Sequence, residues 1–388
     1  MSGDAMKSRI NRFLSFILVA FLFTALTVSG SEGFQTQPVL NKGRKWRIAY
    51  YEGGPYLDYY FTLKSTVNNL VKLGWIREIN FPEDRDLSEK KLWNYLAHNV
   101  KSEYLEFLSD YFLSANWDKV QRAKNKSRMI ELFNTPNKID MVFALGTWAG
   151  QDLANNLHSI PVVVMSTSDP VKANIIKSPD DSGYDHVFAR CDPNRFIRQL
   201  NLFHRIVGFK KLGMIYEDSE TGRAISYIEE AKQVGRERHF DIISCHIHNS
   251  GISKEVMVNE YLACLNTVAP EIDAFLLTAA NASQSKYVQK YIPVLLQYEI
   301  PSWSIVQDLS LVEGGIMMSL SKKNFDNVGM FHATAIARIL HGEKPRSLNQ
   351  IFEDIDTIAI NMKTAERIGF DLPKGIVNIA EIKFFSFD

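Results

Sequence analysis

The stretch from Ile139 to Ser178, IDMVFALGTWAGQDLANNLHSIPVVVMSTSDPVKANIIKS, decides the fold. Its two apolar runs, Met141–Leu145 and Ile160–Met165, flank a helical pattern, and each run ends at polar residues. Apolar runs of this length, separated by a helix, predict parallel strands that are buried on both faces of a sheet. Ligands bind outside the carboxyl ends of such strands, so Thr147 and the segment Ser166–Asp169 form the first candidate site.

These hydroxyl groups also have a simpler interpretation, because Ser, Thr and Asp routinely cap helix N-termini. Two consecutive loops of the same polar character favour the ligand interpretation. Helix N-termini and hydroxyls suit an anionic group such as a carboxylate, whereas an Asp or a Glu suits a cationic group. We therefore expect a small polar ligand at this edge of the sheet.

The first 31 residues have the pattern of an export signal. Lys7, Arg9 and Arg12 precede the uncharged apolar run Phe13–Val28, and the small residues at 29–31 follow it. A positive segment, an apolar core and a small-residue exit are typical of a secretory signal peptide, which predicts a periplasmic protein. An uncleaved N-terminal membrane anchor is the alternative, although the run is shorter than the ~20 residues that span a bilayer comfortably.

Composition narrows the class of protein further. The chain has 388 residues, enough for two domains. Lys plus Arg and Asp plus Glu both number 44, so no basic excess indicates a nucleic-acid partner. Cys191, Cys245 and Cys264 are too few and too widely spaced for a disulfide scaffold or a zinc site. We expect three buried thiols, with one disulfide of undetermined pairing as the alternative.

Upstream of the opening stretch, the strand Trp46–Tyr51 ends at Glu52-Gly53-Gly54-Pro55 and a helix is predicted after it. The predicted elements that follow are a helix over Asp58–Leu73, a strand over Ile76–Phe81, and helices over Leu87–Leu96, Glu103–Leu113 and Trp117–Phe133. Aromatic residues are frequent in the helical region 82–134, and they indicate either core packing or a contact surface.

Downstream, the order of strand, polar tip and helix repeats. Strands are predicted over His186–Ala189, Lys211–Tyr216, Phe240–His246, Ala274–Leu277, Pro301–Ile305 and Thr357–Asn361. Helices are predicted over Asn194–Val207 (capped by Asp192), Arg223–Gly235, Lys254–Val268, Ser283–Tyr298, Asn324–His341 and Ala365–Gly369. Two such series predict two doubly wound α/β lobes with parallel sheets, whose polar tips line a cleft where the two sheet edges face each other.

Motifs for catalysis and cofactor binding are missing from the sequence. It has no Gly-x-Gly-x-x-Gly after a strand, no Gly-x4-Gly-Lys-Ser/Thr and no Gly-x-Ser-x-Gly. The pair His246/His248 is a weak metal signal, and no nucleophile accompanies Asp169, Asp218 or Asp308. We expect a binding protein without catalytic residues, cofactor or metal.

From Lys45 to its end the chain resembles the periplasmic substrate-binding proteins of ABC importers, in the group that includes tryptophan- and tyrosine-binding members. The resemblance rests on the opening stretch, on Leu340-His341-Gly342-Glu343-Lys344-Pro345, and on Ile358-Ala359-Ile360-Asn361 with the later Leu372-Pro373. It implies a type I fold with lobes 45–188 plus 320–347 and 189–319 plus 348–388. It also implies three crossing hinge segments, near Gly183–Arg190, Met317–Lys323 and Ser347–Asp356.

The resemblance also implies a ligand and the residues that bind it. The hydroxyl loops would hold a carboxylate and Asp308 an amino group of an amino acid, an amine or an aromatic metabolite. The expected ligand-binding residues are Tyr51, Glu52, Tyr56, Thr147, Trp148, Ser166, Thr167 and Ser168 in one lobe and Tyr216, Asp218, Thr221, Thr278, Asn281 and Asp308 in the other.

Four departures from the relatives set this chain apart. Its first loop reads Glu-Gly-Gly-Pro-Tyr where relatives often carry His-Pro, Trp148 replaces a small residue, Glu217-Asp218 replaces Asn-Pro, and the region 82–134 is longer. The rings of Tyr51, Tyr56 and Trp148 could stack on a flat or cationic ligand.

The expected partner is the membrane permease of an ABC importer. The alternative is a membrane sensor protein, a receptor kinase, with 82–134 as the docking surface.

Overall fold

The computed structural model describes residues 36–81, 87–167, 169–249, 252–322, 325–353 and 356–387. The predicted export signal, residues 1–31, lies outside the described residues. None of the helices in this part of the chain combines the length and the hydropathy needed to span a bilayer.

The first sheet contains five parallel strands in the order β2-β1-β3-β4-β5. Its strands are β1 Trp46–Glu52, β2 Leu105–Ser114, β3 Met141–Leu145, β4 Val162–Met165 and β5 Val187–Ala189. Both predicted apolar runs of the opening stretch are strands, and every residue of β3 and β4 is buried. A sheet that is buried on both faces needs helices on each side, and the chain supplies them.

Four helices connect these strands: α1 Leu57–Lys72, α2 Glu89–Asn99, α3 Lys119–Phe133 and α4 Thr147–Leu153. Alternate residues of the sheet pack with α1 and α2 on one face, through Leu63 and Leu92 among others. The remaining residues pack with α3 and α4 on the other face, through Met129 and Leu153. The first lobe is therefore doubly wound, as predicted.

The second sheet has seven strands in the order β12-β11-β10-β9-β8-β6-β7. Its strands are β6 Lys211–Tyr216, β7 Asp241–His246, β8 Ala274–Leu277, β9 Ser302–Ser304, β10 Met318–Lys322, β11 Asp356–Asn361 and β12 Ile382–Phe384. All neighbouring strands are parallel except β10 and β11, which are antiparallel.

The helices of the second half, in chain order, are α5 Arg195–Val207, α6 Glu220–Ile225, α7 Ile228–Arg238, α8 Lys254–Val268, α9 Ser285–Val288, α10 Ile292–Gln297, α11 Leu309–Glu313, α12 Asp326–Leu340, α13 Met362–Arg367 and α14 Lys374–Ile379. α5 and α7 pack on one face of the second sheet, and α8 and α10 pack on the other. α12 instead packs with α1 against the first sheet. The Ser65 hydroxyl of α1 donates to the Phe325 carbonyl at 2.7 Å.

The chain passes between the two sheets three times, after β5, between β10 and α12, and between α12 and β11. The strand β10 extends to Lys322 within the second sheet, beyond the predicted change of lobe at residue 320. The predicted domain boundaries and the hinge role of the three segments stay predictions.

Several predicted elements are wrong. Residues 76–81 form no strand, and most of the predicted helix Glu103–Leu113 belongs to the edge strand β2, Leu105–Ser114. The register of β2 against β1 jumps from Phe107 to Phe112, which is a bulge. Since a bulge shifts which side chains face the core, the period of two that marks a strand is lost.

Three further differences concern helices. The predicted helix Arg223–Gly235 is split into α6 and α7 by Tyr227, whose φ is 54°. The predicted helix Ser283–Tyr298 is broken into a 3₁₀ turn and two short helices, α9 and α10. Asn194, and not Asp192, is the N-cap residue of α5, because the Asp192 carboxylate accepts from Arg198 at 2.8 Å instead.

The expectation of three free thiols is wrong for two of them. Cys245 of β7 and Cys264 of α8 form a disulfide, and Cys191 is free and buried. The sequence left the pairing undetermined because the partners lie 19 residues apart and meet only after α8 packs beside β7.

Candidate functional site

The strand order of the first sheet brings its polar loops side by side. Since all five strands are parallel, the loops after β2, β1, β3 and β4 lie in that order along the carboxyl edge. This edge is where open α/β sheets bind ligands. The predicted site residues of the first lobe occupy three of these loops.

The first loop starts from two buried residues, Tyr51 and Glu52. The Tyr51 hydroxyl donates to the Asp152 carboxylate at 2.9 Å, and the Tyr50 hydroxyl donates to Glu52 at 2.7 Å. Burial raises the pKa of the Glu52 carboxyl to about 7, because the desolvation outweighs the hydrogen bonds from Tyr50 and Ser114. Both predicted residues are 2% exposed or less, so they support the loop from below.

Tyr56 is the exposed member of this loop. Its backbone N–H donates to the Glu89 carboxylate at 3.0 Å, which fixes the start of α1. Burial and the nearby carboxylates of Asp58 and Asp308 raise the pKa of the phenol, and the Arg195 guanidinium opposes them. Because 48% of Tyr56 is exposed, water screens these charges. The influence of Asp308 and Arg195 nevertheless places Tyr56 near the second lobe.

The second loop turns at Gly146, whose φ is 85°. A Cβ here would lie 1.7 Å from the Tyr59 hydroxyl oxygen, so only glycine fits. Thr147 begins α4 and is half-buried. The Arg122 guanidinium lies over the Trp148 ring, with its central carbon 4.6 Å from the ring centroid. One face of Trp148 is therefore occupied by a cation of the same lobe.

The third loop supplies an unsatisfied hydroxyl. Ser166 has a φ of 56°, an unusual backbone conformation for serine that often marks a functional position. Thr167 is 6% exposed, and its Oγ1 has no hydrogen-bond partner within the described residues. Buried hydroxyls normally find partners, so this group is suited to bind a ligand atom. Ser168 lies outside the described residues.

The second sheet presents the remaining predicted residues at its carboxyl edge. Tyr216 is buried, and its ring packs against His246 at 4.9 Å. Asp218 accepts from the Arg223 guanidinium at 2.6 Å, which lowers the pKa of that carboxyl. The Thr278 hydroxyl donates to the Ile215 carbonyl at 2.6 Å. These three residues are engaged within their own lobe.

Asn281 lies beyond Thr278 in the loop after β8, and Asp308 lies in the loop after β9. The exposed Asn281 donates its side-chain amide to the Asn249 carbonyl at 2.7 Å. The half-buried Asp308 caps α11, where its carboxylate accepts from Ser310 at 3.0 Å. Thr221 lies within α6. The structure thus brings Tyr56 and Asp308 near each other and leaves Asn281 and Asp218 in separate loops.

Three residues at this candidate site were not predicted from the sequence. Arg122 donates to Asp152 at 2.9 Å beneath Trp148, and Arg195 lies near Tyr56. Trp117 follows β2 and packs on the first loop, and it was assigned only to an aromatic-rich helical region. The unusual aromatic content of that region was the signal for Trp117, whereas Arg122 and Arg195 carried none.

Most aromatic residues of the region 82–134 are core residues. Trp93 and Phe107 are almost completely buried and pack with the first sheet.

In the part of the chain that the structure describes, no group of three His, Cys, Asp or Glu side chains is arranged to hold a metal ion.

Two doubly wound lobes, with polar loops at the carboxyl edges of both sheets, define a solute-binding protein of the periplasmic type I class. Residues 113–382 match the model of the ABC transporter substrate binding protein family, which is more than half of the chain. The chain belongs to this family, a family of binding proteins and not of enzymes. The family resemblance in the sequence is therefore confirmed.

Two solved structures share the fold. An ABC domain from Streptococcus pneumonia in complex with L-Trp has a TM-score of 0.62 and 18% identity, and the match covers 88% of this chain and 100% of that chain. The ligand-free, open structure of a substrate-binding protein with adhesive properties from Clostridium difficile has a TM-score of 0.62 and 19% identity, over 87% of this chain and 99% of that chain.

A curated relative matches over a shorter segment. The chain is 25% identical over 130 residues to a tyrosine-binding protein from Clostridioides difficile (strain R20291). The match covers 33% of this chain and spans 36% of the relative's length.

Proposed function

We propose that this chain captures a small amino-acid-like ligand between its two lobes outside the cytoplasm and delivers it to the permease of an ABC importer. The observation that carries the proposal is the buried Thr167 hydroxyl at the carboxyl edge of the first sheet, which has no hydrogen-bond partner among the residues that the structure describes. Family membership supplies the role in transport. The L-Trp and tyrosine of two similar proteins support an amino acid as the ligand class.

The ligand carboxylate would bind at the hydroxyl loops. Thr147, at the N-terminus of α4, and Thr167 offer hydroxyl groups, and Ser166 belongs to the same edge. Such groups stabilise an anion by charge-assisted hydrogen bonds. The ligand amino group would bind Asp308, which approaches from the second lobe near Tyr56. A ligand that contacts both lobes would favour the closed arrangement, since binding to both edges is available only there.

The three passages of the chain between the sheets would act as hinges. We propose lobes 45–188 plus 320–347 and 189–319 plus 348–388, close to the observed sheet memberships. The Cys191 backbone N–H donates to the Gln350 carbonyl at 2.7 Å, which holds two of these passages side by side. Paired hinge segments would restrict the motion to opening and closing of the cleft.

A periplasmic location fits the disulfide as well as the export signal. Disulfides persist in oxidising compartments such as the periplasm and are rare in the cytosol. The Cys245–Cys264 bond therefore supports export of the chain.

A ligand screen tests the proposal. We expect L-tryptophan, L-tyrosine or a related amino acid, amine or aromatic metabolite to raise the unfolding midpoint of the purified protein. A ligand at 100 times its dissociation constant stabilises by about 2.7 kcal/mol. Thr167→Val and Asp308→Asn should each weaken binding about tenfold or more, whereas Asp371→Asn, at an exposed position, should leave it unchanged. A broad panel without any binder contradicts the proposal.

A further inference from the structure

Trp117 is held in a strained position at the carboxyl edge of the first sheet. It follows β2 in the loop before α3, and both Asn116 and Trp117 have positive φ values, 50° and 61°. Two consecutive left-handed residues without a glycine are unusual, and a bulky side chain makes the second a clear outlier. Strain of this kind persists where the surroundings enforce it, and it clusters at functional sites.

Hydrogen bonds to the first loop hold Trp117 in this position. The Trp117 backbone N–H donates to the Gly53 carbonyl at 2.8 Å, and its indole N–H donates to the Pro55 carbonyl at 3.2 Å. The Ala115 backbone N–H donates to the Glu52 carbonyl at 3.3 Å. Both the backbone and the ring of Trp117 are thus tied to the loop that follows β1.

Because they lack a Cβ, Gly53 and Gly54 of this loop leave space for the indole of Trp117. A Cβ on Gly54 would lie 2.7 Å from three atoms of the Trp117 ring system. A Cβ on Gly53 would lie 2.8 Å from the Trp148 Cβ and 3.0 Å from the Trp117 ring. The Gly-Gly pair and Trp148, which the sequence comparison gave as separate departures from the relatives, form one structural unit with Trp117.

Contacts within the first lobe hold this unit in place. The rings of Trp117 and Trp148 meet edge to face with centroids 5.5 Å apart. Arg122 covers Trp148 and forms an ion pair with Asp152 at 2.9 Å. The same Asp152 accepts from Tyr51, so the chain of contacts ends in the buried core of the lobe.

Trp117 is nevertheless 47% exposed, and Tyr56, in the neighbouring loop after β1, is 48% exposed. A large aromatic ring that is fixed by hydrogen bonds, set on glycines and left open to solvent offers a flat contact surface at low entropic cost to a ligand.

We propose that Trp117 contacts the ligand and selects a flat aromatic ring in it, with Gly53, Gly54 and Trp148 holding the indole in place. This inference rests on the proposed function, because it names the part of the ligand that the carboxylate and amino contacts leave open. Aromatic pairs prefer offset-stacked or edge-to-face contacts, and the exposed indole offers both.

The experiment compares L-tryptophan, L-tyrosine and L-leucine by isothermal titration of the purified wild-type protein and its variants. We expect wild type to bind the two aromatic amino acids at least about tenfold more tightly than L-leucine. Trp117→Ala should weaken the aromatic ligands about tenfold and change L-leucine less than about twofold. Trp117→Phe should retain most of the preference. Tyr298→Ala, which removes an exposed aromatic ring elsewhere, is the matched control.

A second variant separates binding from folding. Trp117→Gly loses the same ring as Trp117→Ala but suits the left-handed backbone at this position, so its unfolding midpoint should lie at or above that of Trp117→Ala while the aromatic preference is lost in both. Unchanged aromatic affinity in Trp117→Ala and Trp117→Gly, with ligand still bound, overturns this inference alone. Binding of L-leucine as tightly as of the two aromatic amino acids by wild type, or of none of the three, overturns this inference, and absence of binding by every member of the broad panel overturns the proposed function with it.

Discussion

Lys172 and Glu230 form an ion pair that joins the two lobes. Lys172 lies in the loop after β4, and Glu230 lies in α7 against the second sheet. The Lys172 ammonium is also 5.6 Å from the Tyr227 ring centroid. The Asp169 carboxylate accepts from the Lys172 backbone N–H at 3.0 Å, so the loop after β4 positions the cation that pairs with the second lobe.

Removal of this ion pair should weaken ligand binding more than folding. Lys172→Ala and Glu230→Gln should each lower ligand affinity about two- to fivefold, because partly buried pairs contribute roughly 0.5–1 kcal/mol and this one joins the lobes. The double variant should lose little more than either single variant. Titration calorimetry measures the cycle, with Lys177→Ala as control because its partner Asp181 lies in the same lobe. Additive losses in the cycle would contradict the coupling.

Gly146 sets the geometry of the loop between β3 and α4, and its replacement should lower the stability of the fold. Gly146→Ala should lower the free energy of unfolding by about 3 kcal/mol or more, because the Cβ meets the Tyr59 hydroxyl in addition to the strain at φ 85°. Gly342 has a φ of 96°, and no atom lies within 4 Å of the position of a Cβ there. Gly342→Ala should therefore lower the free energy of unfolding by only about 1 kcal/mol. Urea unfolding measures both. Equal losses would show that the Tyr59 contact yields easily.

The local sequence pattern was sufficient to predict those strands that are buried on both faces of the sheet. The runs of β3 and β4 are continuously apolar because helices cover the sheet on each side, and Gly146 marks the turn between β3 and α4. The two lobes and the order of their loops follow from the repeat of this unit.

The strand and the site residues that the sequence did not predict depend on contacts between segments that are distant in the chain. β2 could not be recognised because its bulge against β1 removes the alternation, and its edge position leaves part of it exposed. Trp117 becomes part of the site only when β2 pairs with β1 and places its loop over Gly53. Tyr51 and Thr278 have the polar character of ligand-binding residues, but their hydroxyls are engaged by Asp152 and Ile215.

The disulfide between Cys245 and Cys264 should contribute measurably to stability. A bond that closes a loop of this length restricts the unfolded chain and stabilises by about 3 kcal/mol on the chain-entropy estimate. We expect reductant to lower the urea midpoint of wild type and to leave the double variant Cys245→Ser, Cys264→Ser unaffected. Cys191→Ser, at the free buried cysteine, should retain the response to reductant. Identical wild-type curves with and without reductant would argue against a bridged protein.

Glu52 is buried at the end of β1, among other ionisable groups. The Tyr50 hydroxyl donates to it, and the Glu89 carboxylate adds repulsion to the effect of burial. Its raised pKa, about 7, means that the folded chain retains a proton that the unfolded chain releases above its ordinary pKa of 4.5. Stability should therefore fall as pH rises from about 4.5 to 7.

Glu52→Gln should remove this pH dependence, which amounts to roughly 2–3 kcal/mol across the window. Burial lowers the pKa of His158 to about 4 and acts in the opposite direction, since stability is lost as pH falls below 6.5. The quantity to measure is therefore the difference in unfolding free energy between Glu52→Gln and wild type at each pH, in which the histidine effect cancels. That difference should increase in favour of the variant up to pH 7 and then level off. Glu131→Gln, at an exposed carboxylate, should follow wild type, and parallel curves for Glu52→Gln and wild type would show that Glu52 is ionised throughout.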